Sequence, residues 1–263
     1  MDYRENKKHP HKYLVILLLV ILAAIAGTLF YLYRRQDQPG SPEDAQQIIS
    51  SFASSHGIPL SQYPESIREL LERNPETRDF VLHYPMEYGE KQEVDMSDYE
   101  DTEGIPLFLQ WDRRWGYLDY GDDVAGLTAC GPMCLAMAGW GLTGDHDTFR
   151  PDHVIRFAIE EGYCVTGQGS SWTLISEGGE KLGLEVEELP LVEGLIIENL
   201  EAGHPVICIM GPGKFTTGGH FIVLTDYKNG HYRINDPNSR RNSRKRWEFS
   251  DFEGEVLNLW SIQ

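Results

Sequence analysis

The sequence is poor in cysteine, in positive charge and in repetition, and each shortage removes a class of protein. Four cysteines in 263 residues are too few for a disulfide scaffold. None belongs to a Cys-x-x-Cys pair. Cys130 and Cys134 stand one helical turn apart, a spacing that is poor for a disulfide and gives only half a metal site. Cys164 and Cys208 could pair if the domain lies outside the cell, and we read them as two buried thiols. Lys and Arg total 23 against 41 Asp and Glu, a formal net charge of -18. Phosphate binding needs a basic face, so this balance argues against nucleic acid as a partner. The one basic run, Arg240, Arg241, Arg244, Lys245 and Arg246, reads as a solvated turn between strands. No internal repeat at solenoid periods is present, and the composition is that of a folded chain.

What is present begins with a long apolar run. Residues 13–33, YLVILLLVILAAIAGTLFYLY, carry no charge. At about 1.5 Å per residue, a helix of that length spans a hydrocarbon core of roughly 30 Å. Tyrosines at both ends suit the interfacial belt. Arg4, Lys7, Lys8 and Lys12 precede the run, while Arg34 and Arg35 follow it and acidic residues soon take over. The positive-inside rule therefore predicts a cytoplasmic N-terminus and an external C-terminal bulk. Ala24-Ile25-Ala26 looks like a signal-cleavage tripeptide, but the apolar run continues through Leu32, which favours an anchor over a cleaved signal. The expected organisation is a cytoplasmic tail at 1–12, a transmembrane helix at 13–33, a linker with short helices at 34–104, and one domain at 105–263.

Within 34–104, Ser41-Pro42-Glu43-Asp44 reads as an N-cap, a first-turn proline and an acid three residues on, opening a helix that Gly57 stops. A second helix starts at Pro64, and Asn74-Pro75-Glu76 caps a third. Ile67, Leu70, Leu71, Phe80 and Leu82 need cover, so these helices are expected to pack on the following domain. Residues 87–103 read as an acidic surface loop.

The segment LTACGPMCLAMAGWGL, residues 127–142, predicts a buried helix that begins just after Cys130, with Pro132 tolerated in its first turn. A thiol there feels the positive end of the macrodipole and nearby unpaired amides, both of which favour thiolate. Cys134, deeper in the same helix, reads as inert packing. Of nine histidines, His220 alone ends a turn-rich stretch, GPGKFTTGG, and opens a strand, FIVLTDY. His146 and His153 complete no metal site at ligand spacing.

A hairpin brings an acid to His220. A three-residue loop, Lys228-Asn229-Gly230, would pair Tyr227 with His231, hence Leu224 with Ile234 and Ile222 with Asp236. His220 and Asp236 then share a face with Ile222, Leu224 and Ile234, with β-carbons about 7–8 Å apart. Asp236 would orient the ring and stabilise the imidazolium. The competing reading makes Asp236 a turn residue of Asp-Pro-Asn. Gln110 could add a side-chain amide to the Cys130 backbone N–H as an oxyanion donor, although a lone Gln is usually a surface residue.

The strings PLFLQWDRRWGY, CGPMCLAM, GHPVICIMGPGKFTTGGHFIVL and NDPNS resemble the double-glycine-leader cysteine peptidase-like family of the papain superfamily. The resemblance covers residues 105 to 263 and extends weakly to YPESIRELLERNPETRDFVLHYP. It implies an α+β papain-like fold, with a helical half headed by Cys130, an antiparallel sheet half holding His220 and Asp236, and the site in the cleft between. It also implies that Gln110 serves the oxyanion hole, Cys130 attacks, His220 is base and acid, and Asp236 orients it. No metal or organic cofactor is implied. Members that process bacteriocin leaders are fused to an ATP-binding cassette transporter and face the cytoplasm. This chain has one expected span and no Walker motif, so the double-glycine substrate is not carried over.

These readings describe a membrane-anchored extracellular cysteine peptidase acting on a peptide or protein through a thioester acyl-enzyme. The rivals are a cell-wall peptide amidase or endopeptidase, an acyl transferase on the same scaffold, and a non-catalytic papain-like binding module. Intact Cys130, His220 and Asp236 argue against the last.

Overall fold

In the computed structural model of the chain, the described residues are 42–91 and 93–263, with Ile21, Ala24 and Gly27, all helical, from the expected span. Apart from those three, the expected span 13–33, the tail 1–12 and the linker 36–41 lie outside the described residues. Among the described residues no helix is long and apolar enough to cross a membrane.

Proline and glycine punctuate the first helices as their chemistry requires. Pro42 opens α1 (Pro42–His56), and Gly57, at φ 67, follows its end. Next come α2 (Glu65–Arg73) and α3 (Arg78–Glu87), joined by a 3-10 turn at Pro75–Thr77. The Asn74 side chain accepts from the Glu76 N–H at that turn. Residues 93–103, which follow, contain no helix or strand.

The apolar faces of these three helices bury Ile49, Ile67, Leu70, Leu71 and Phe80 against Leu109, Trp111, Tyr117 and Val124 of the later chain. Phe80 makes the tightest join. A β-carbon added to Gly126 would come within 2.5 Å of its ring, so only glycine lets α3 approach the backbone four residues before Cys130. The same ring stacks on Tyr117 at 4.4 Å. Full burial of an aromatic ring contributes about 1.5–3 kcal/mol.

The hairpin of β1 (Asp119–Tyr120) and β2 (Asp123–Val124) leads to α4 (Cys130–Thr143), whose residues Gly131 through Trp140 are all buried. A helix apolar on every side belongs in a core, and here it fills the centre of one. The chain continues through α5 (Pro151–Glu160), the small hairpin β3 (Cys164–Val165) and β4 (Gly169–Ser170), β5 (Val186–Glu188) and α6 (Glu193–Glu201).

The main sheet is antiparallel, in the order β5-β9-β6-β7-β8, with β6 (Val206–Met210), β7 (His220–Lys228), β8 (His231–Asn235) and β9 (Val256–Ile262). Strand alternation divides its two faces. Ile207, Ile209, Phe221 and Val223 join the core around α4, while Val206, Cys208, Ile222, Leu224 and Ile234 join a second core with Ile196 and Leu200 of α6. The fold is therefore α+β, with helices on both faces of an antiparallel sheet.

The β7–β8 hairpin corrects the expected loop. Lys228 pairs with His231, not Tyr227, because the turn is the two residues Asn229 (φ 54) and Gly230 (φ 78). A register shift between Leu224 and Asp226 then leaves Thr225 as the extra residue, and Leu224 faces Ile234 as expected. A shorter loop and a bulge cancel, so the apolar face survives.

Two further expectations change. The basic run is not a plain turn: its first residues form the short helix α7 (Arg240–Arg244). Its N-terminal amides find a carboxylate, Glu76, that lies far away in sequence, and Arg240 lies over Trp111 at 4.4 Å. All four cysteines are free thiols; Cys208 is buried as expected, but Cys164 sits in the small β3–β4 hairpin and is partly exposed.

Candidate active site

Cys130 is the first residue of α4 and is partly exposed. The helix start is crowded: a β-carbon on Gly131 would meet Ser170 Oγ at 2.8 Å, so glycine is required for β4 to pack there. Tyr120 Oη and that Ser170 Oγ lie 2.7 Å apart. All four sequence-derived candidates come together: Cys130, His220, Asp236 and Gln110 line one cavity of about 1030 Å³, a volume just above the usual range of ligand pockets.

His220 begins β7, and Asp236 follows directly on β8. Both are buried, at 6% and 1% exposure. His220 Nε2 and Asp236 Oδ1 are 2.8 Å apart. With Nε2 engaged by the carboxylate, Nδ1 is the nitrogen left for the thiol. Asp236 is also a turn residue: its Oδ1 accepts from the Asn238 N–H at 2.8 Å. Its other oxygen, Oδ2, accepts from Asn242 Nδ2 at 2.7 Å.

The electrostatics follow from this arrangement. Burial raises the Cys130 thiol, but the hydrogen bond and charge of His220, with the backbone N–H groups of Phe221 and Gly131, outweigh it and hold the thiol below its ordinary value. For His220, burial works against the imidazolium. The charge and hydrogen bond of Asp236, then the interactions with Cys130, push the ring up to about 10. Thiol and imidazole are thereby driven towards thiolate and imidazolium.

Gln110 is buried at 3% exposure, not on the surface. Its backbone N–H donates to the Pro237 carbonyl at 2.8 Å, which ties it to the Asp236 segment. Its side-chain Nε2 donates to the Gly126 carbonyl at 2.9 Å, and Oε1 has no partner. One amide hydrogen therefore remains uncommitted by that bond.

The residue types around Cys130 pointed to nucleophilic chemistry, but several neighbours carried no local signal. Arg73, Asn74 and Glu76 line the same cavity from the N-terminal helices. Asn242, which holds Asp236, was hidden in the basic run; its position three residues after the N-cap Ser239 was the available clue. No cluster of metal-ligating side chains occurs among the described residues.

Residues 192–262 match the model of the Peptidase_C39 like family, the family that the motifs resemble. The match runs from the end of the β5–α6 connection to β9 and includes His220 and Asp236. No curated protein matches the chain. Among solved structures, similarity is found to the peptidase domain of Streptococcus ComA, a bifunctional ABC transporter of a quorum-sensing pathway. That match has 21% identity, 60% of this chain and 96% of that one, and a TM-score of 0.41. A protein described as a C39-like peptidase from Bacillus anthracis matches at 17% identity over 62% of this chain and 98% of that one, with a TM-score of 0.40. A double-glycine-motif protease from an AMS/PCAT transporter, solved with its leader peptide, matches at 16% identity over 62% and 96%, with a TM-score of 0.34. Identities and TM-scores this low transfer no chemistry to this chain.

Proposed function

We propose that this chain is a cysteine peptidase in which Cys130 is the nucleophile, His220 the base and acid, Asp236 the orienting carboxylate and Gln110 an oxyanion donor. The observation that carries the reading is the 2.8 Å contact between His220 Nε2 and Asp236 Oδ1, made in the cavity that also holds a Cys130 thiol of lowered pKa.

In this reading the Cys130 thiolate attacks the scissile carbonyl carbon, and the displaced electron pair rests on the carbonyl oxygen. The N–H of Cys130, at a helix start where backbone amides lack intrahelical partners, and the second amide hydrogen of Gln110 stabilise that oxyanion. The His220 imidazolium gives its Nδ1 proton to the departing amine, leaving a thioester. Neutral His220 then takes a proton from water, the hydroxide adds to the thioester, and collapse returns the thiolate with release of the acid. Asp236 fixes the ring throughout.

In this reading the apolar run 13–33 anchors the chain with this domain outside the cell, and the substrate is a peptide or protein. Comparison of cleaved N-termini in cells carrying wild-type protein and Cys130→Ala tests the activity: neo-N-termini that depend on Cys130 are expected, and identical sets would refute it. Protease added to intact cells should remove the region after Arg35 and spare an N-terminal tag; the reverse pattern would overturn the topology.

A further inference from the structure

We propose that Glu76, from the N-terminal helices, is a positioning residue for the site: it acts through Ser239 and Asn242 to hold Asp236 against His220. This rests on the peptidase reading and extends it to a segment outside the family match.

The connection is continuous. Ser239 Oγ donates to Glu76 Oε1 at 3.0 Å, and the same Oγ accepts from the Asn242 N–H at 3.1 Å. Asn242 Nδ2 donates to Asp236 Oδ2 at 2.7 Å, and Asp236 Oδ1 meets His220 Nε2 at 2.8 Å. The Glu76 carboxylate also accepts from the Arg240 and Arg241 N–H groups at 3.0 and 3.2 Å, so it caps α7 from another part of the chain. Beside it, Asn74 Nδ2 donates to the Asn238 carbonyl at 2.6 Å, and the Asn238 N–H donates to Asp236.

This bracing matters because apolar packing does not hold α7. None of its residues is buried. Its other anchors are polar or stacking contacts as well: the Asp236 N–H donates to Ser243 Oγ at 2.9 Å, Trp247 Nε1 donates to the Asn242 carbonyl at 3.0 Å, and Arg240 lies over Trp111. Without the Glu76 carboxylate, Ser239 loses the acceptor that fixes its hydroxyl and two backbone N–H groups lose their partner. Asn242 then has freedom to leave Asp236. A carboxylate aimed less well supports the imidazolium less.

The test is the pH dependence of Cys130 alkylation by iodoacetamide, measured on the full chain in detergent. The profile has a step for thiolate formation and an alkaline step for loss of the His220 proton. The groups whose charge acts on His220 are Asp236 and Cys130. Glu76→Ala and Asn242→Ala are expected to lower the alkaline step by roughly half a pH unit or more. Glu76→Gln keeps one acceptor oxygen and should shift it less. In an Asp236→Asn background, Glu76→Ala should add nothing. A Glu76→Ala profile that superimposes on wild type, or a shift of equal size in Asp236→Asn, would overturn the proposal. Should Glu76→Ala fail to fold, Glu76→Gln and Asn242→Ala carry the same comparison. A wild-type Cys130 with the profile of an ordinary thiol would instead refute the peptidase reading itself.

Discussion

Cys130 and Cys134 stand one turn apart on α4 and are driven in opposite directions. Burial acts on both. At Cys130 the hydrogen bond and charge of His220 overcome it, and the thiol is lowered. At Cys134 burial is joined by the charges of Cys130, Asp236 and Cys208, and the thiol is raised well above its ordinary value. A single helix thus carries one thiol lowered and one raised from the ordinary value.

Iodoacetamide at neutral pH should therefore modify Cys130 first in the folded protein. Cys134 and Cys208, fully buried, should react only after unfolding. Cys164 is partly exposed but raised by burial, so it should label slowly. Peptide mapping by mass spectrometry at timed intervals gives the order. Simultaneous labelling of all four on unfolding, with none before, would make Cys130 a packing residue.

The pH–rate profile for peptide hydrolysis should be a broad bell. In the proposed mechanism activity needs thiolate and imidazolium together. It should rise as pH climbs through the lowered Cys130 value, below the 9.0 of an ordinary thiol, and fall as pH passes the raised His220 value of about 10. The two limbs belong to the pair rather than to either residue. Asp236→Asn removes the charge that raises His220, so the alkaline limb should move to lower pH. An unchanged alkaline limb in that variant would mean that Asp236 does not support the imidazolium.

Phe80 and Gly126 offer a test of how firmly the N-terminal helices are joined to the Cys130 segment. Gly126→Ala puts a methyl 2.5 Å from the ring and should cost about 1–3 kcal/mol by overpacking. Phe80→Ala should cost about 3–5 kcal/mol through the cavity it leaves. Together they should cost less than their sum, because each relieves the other. Thermal or urea unfolding of the three variants measures this; strict additivity would show that the ring and the glycine do not share that space.

Much of this site could be read from sequence because its chemistry is written locally. The Cys130 helix announces itself through Gly131, Pro132 and an unbroken apolar run, and His220 through a glycine-rich turn before a strand. The expected loop is one residue longer than the observed turn, yet His220 and Asp236 still meet, because the bulge at Thr225 restores Leu224 opposite Ile234. A bulge has no reliable sequence signature, so that compensation was illegible. The same is true of Glu76. Its partners Ser239, Arg240 and Arg241 lie over 160 positions away and belong to a charge run whose residues look merely solvated. Polar contacts between distant segments depend on the assembled fold, and periodicity carries no trace of them.

The constellation as a whole is tested by substitution in a peptide-release assay. Cys130→Ala and His220→Ala should each nearly abolish turnover, and the double variant should be little worse, because the two act as one unit. Additive losses would mean that two separate functions had been damaged. In the proposed mechanism Asp236 only orients the ring, so Asp236→Asn should leave measurable activity. Gln110→Ala should lower the rate by about 10²–10³, the size expected for one oxyanion donor. Asp236 and Gln110 are both buried and hydrogen-bonded, so their variants need a check of folding that Cys130→Ala does not. For Gln110, replacement by Glu separates the two roles: it keeps the shape but loses both amide donors. If Gln110→Glu retained the wild-type rate in a folded protein, the side-chain amide would have no part in stabilising the oxyanion, and that task would fall to the backbone at Cys130 alone.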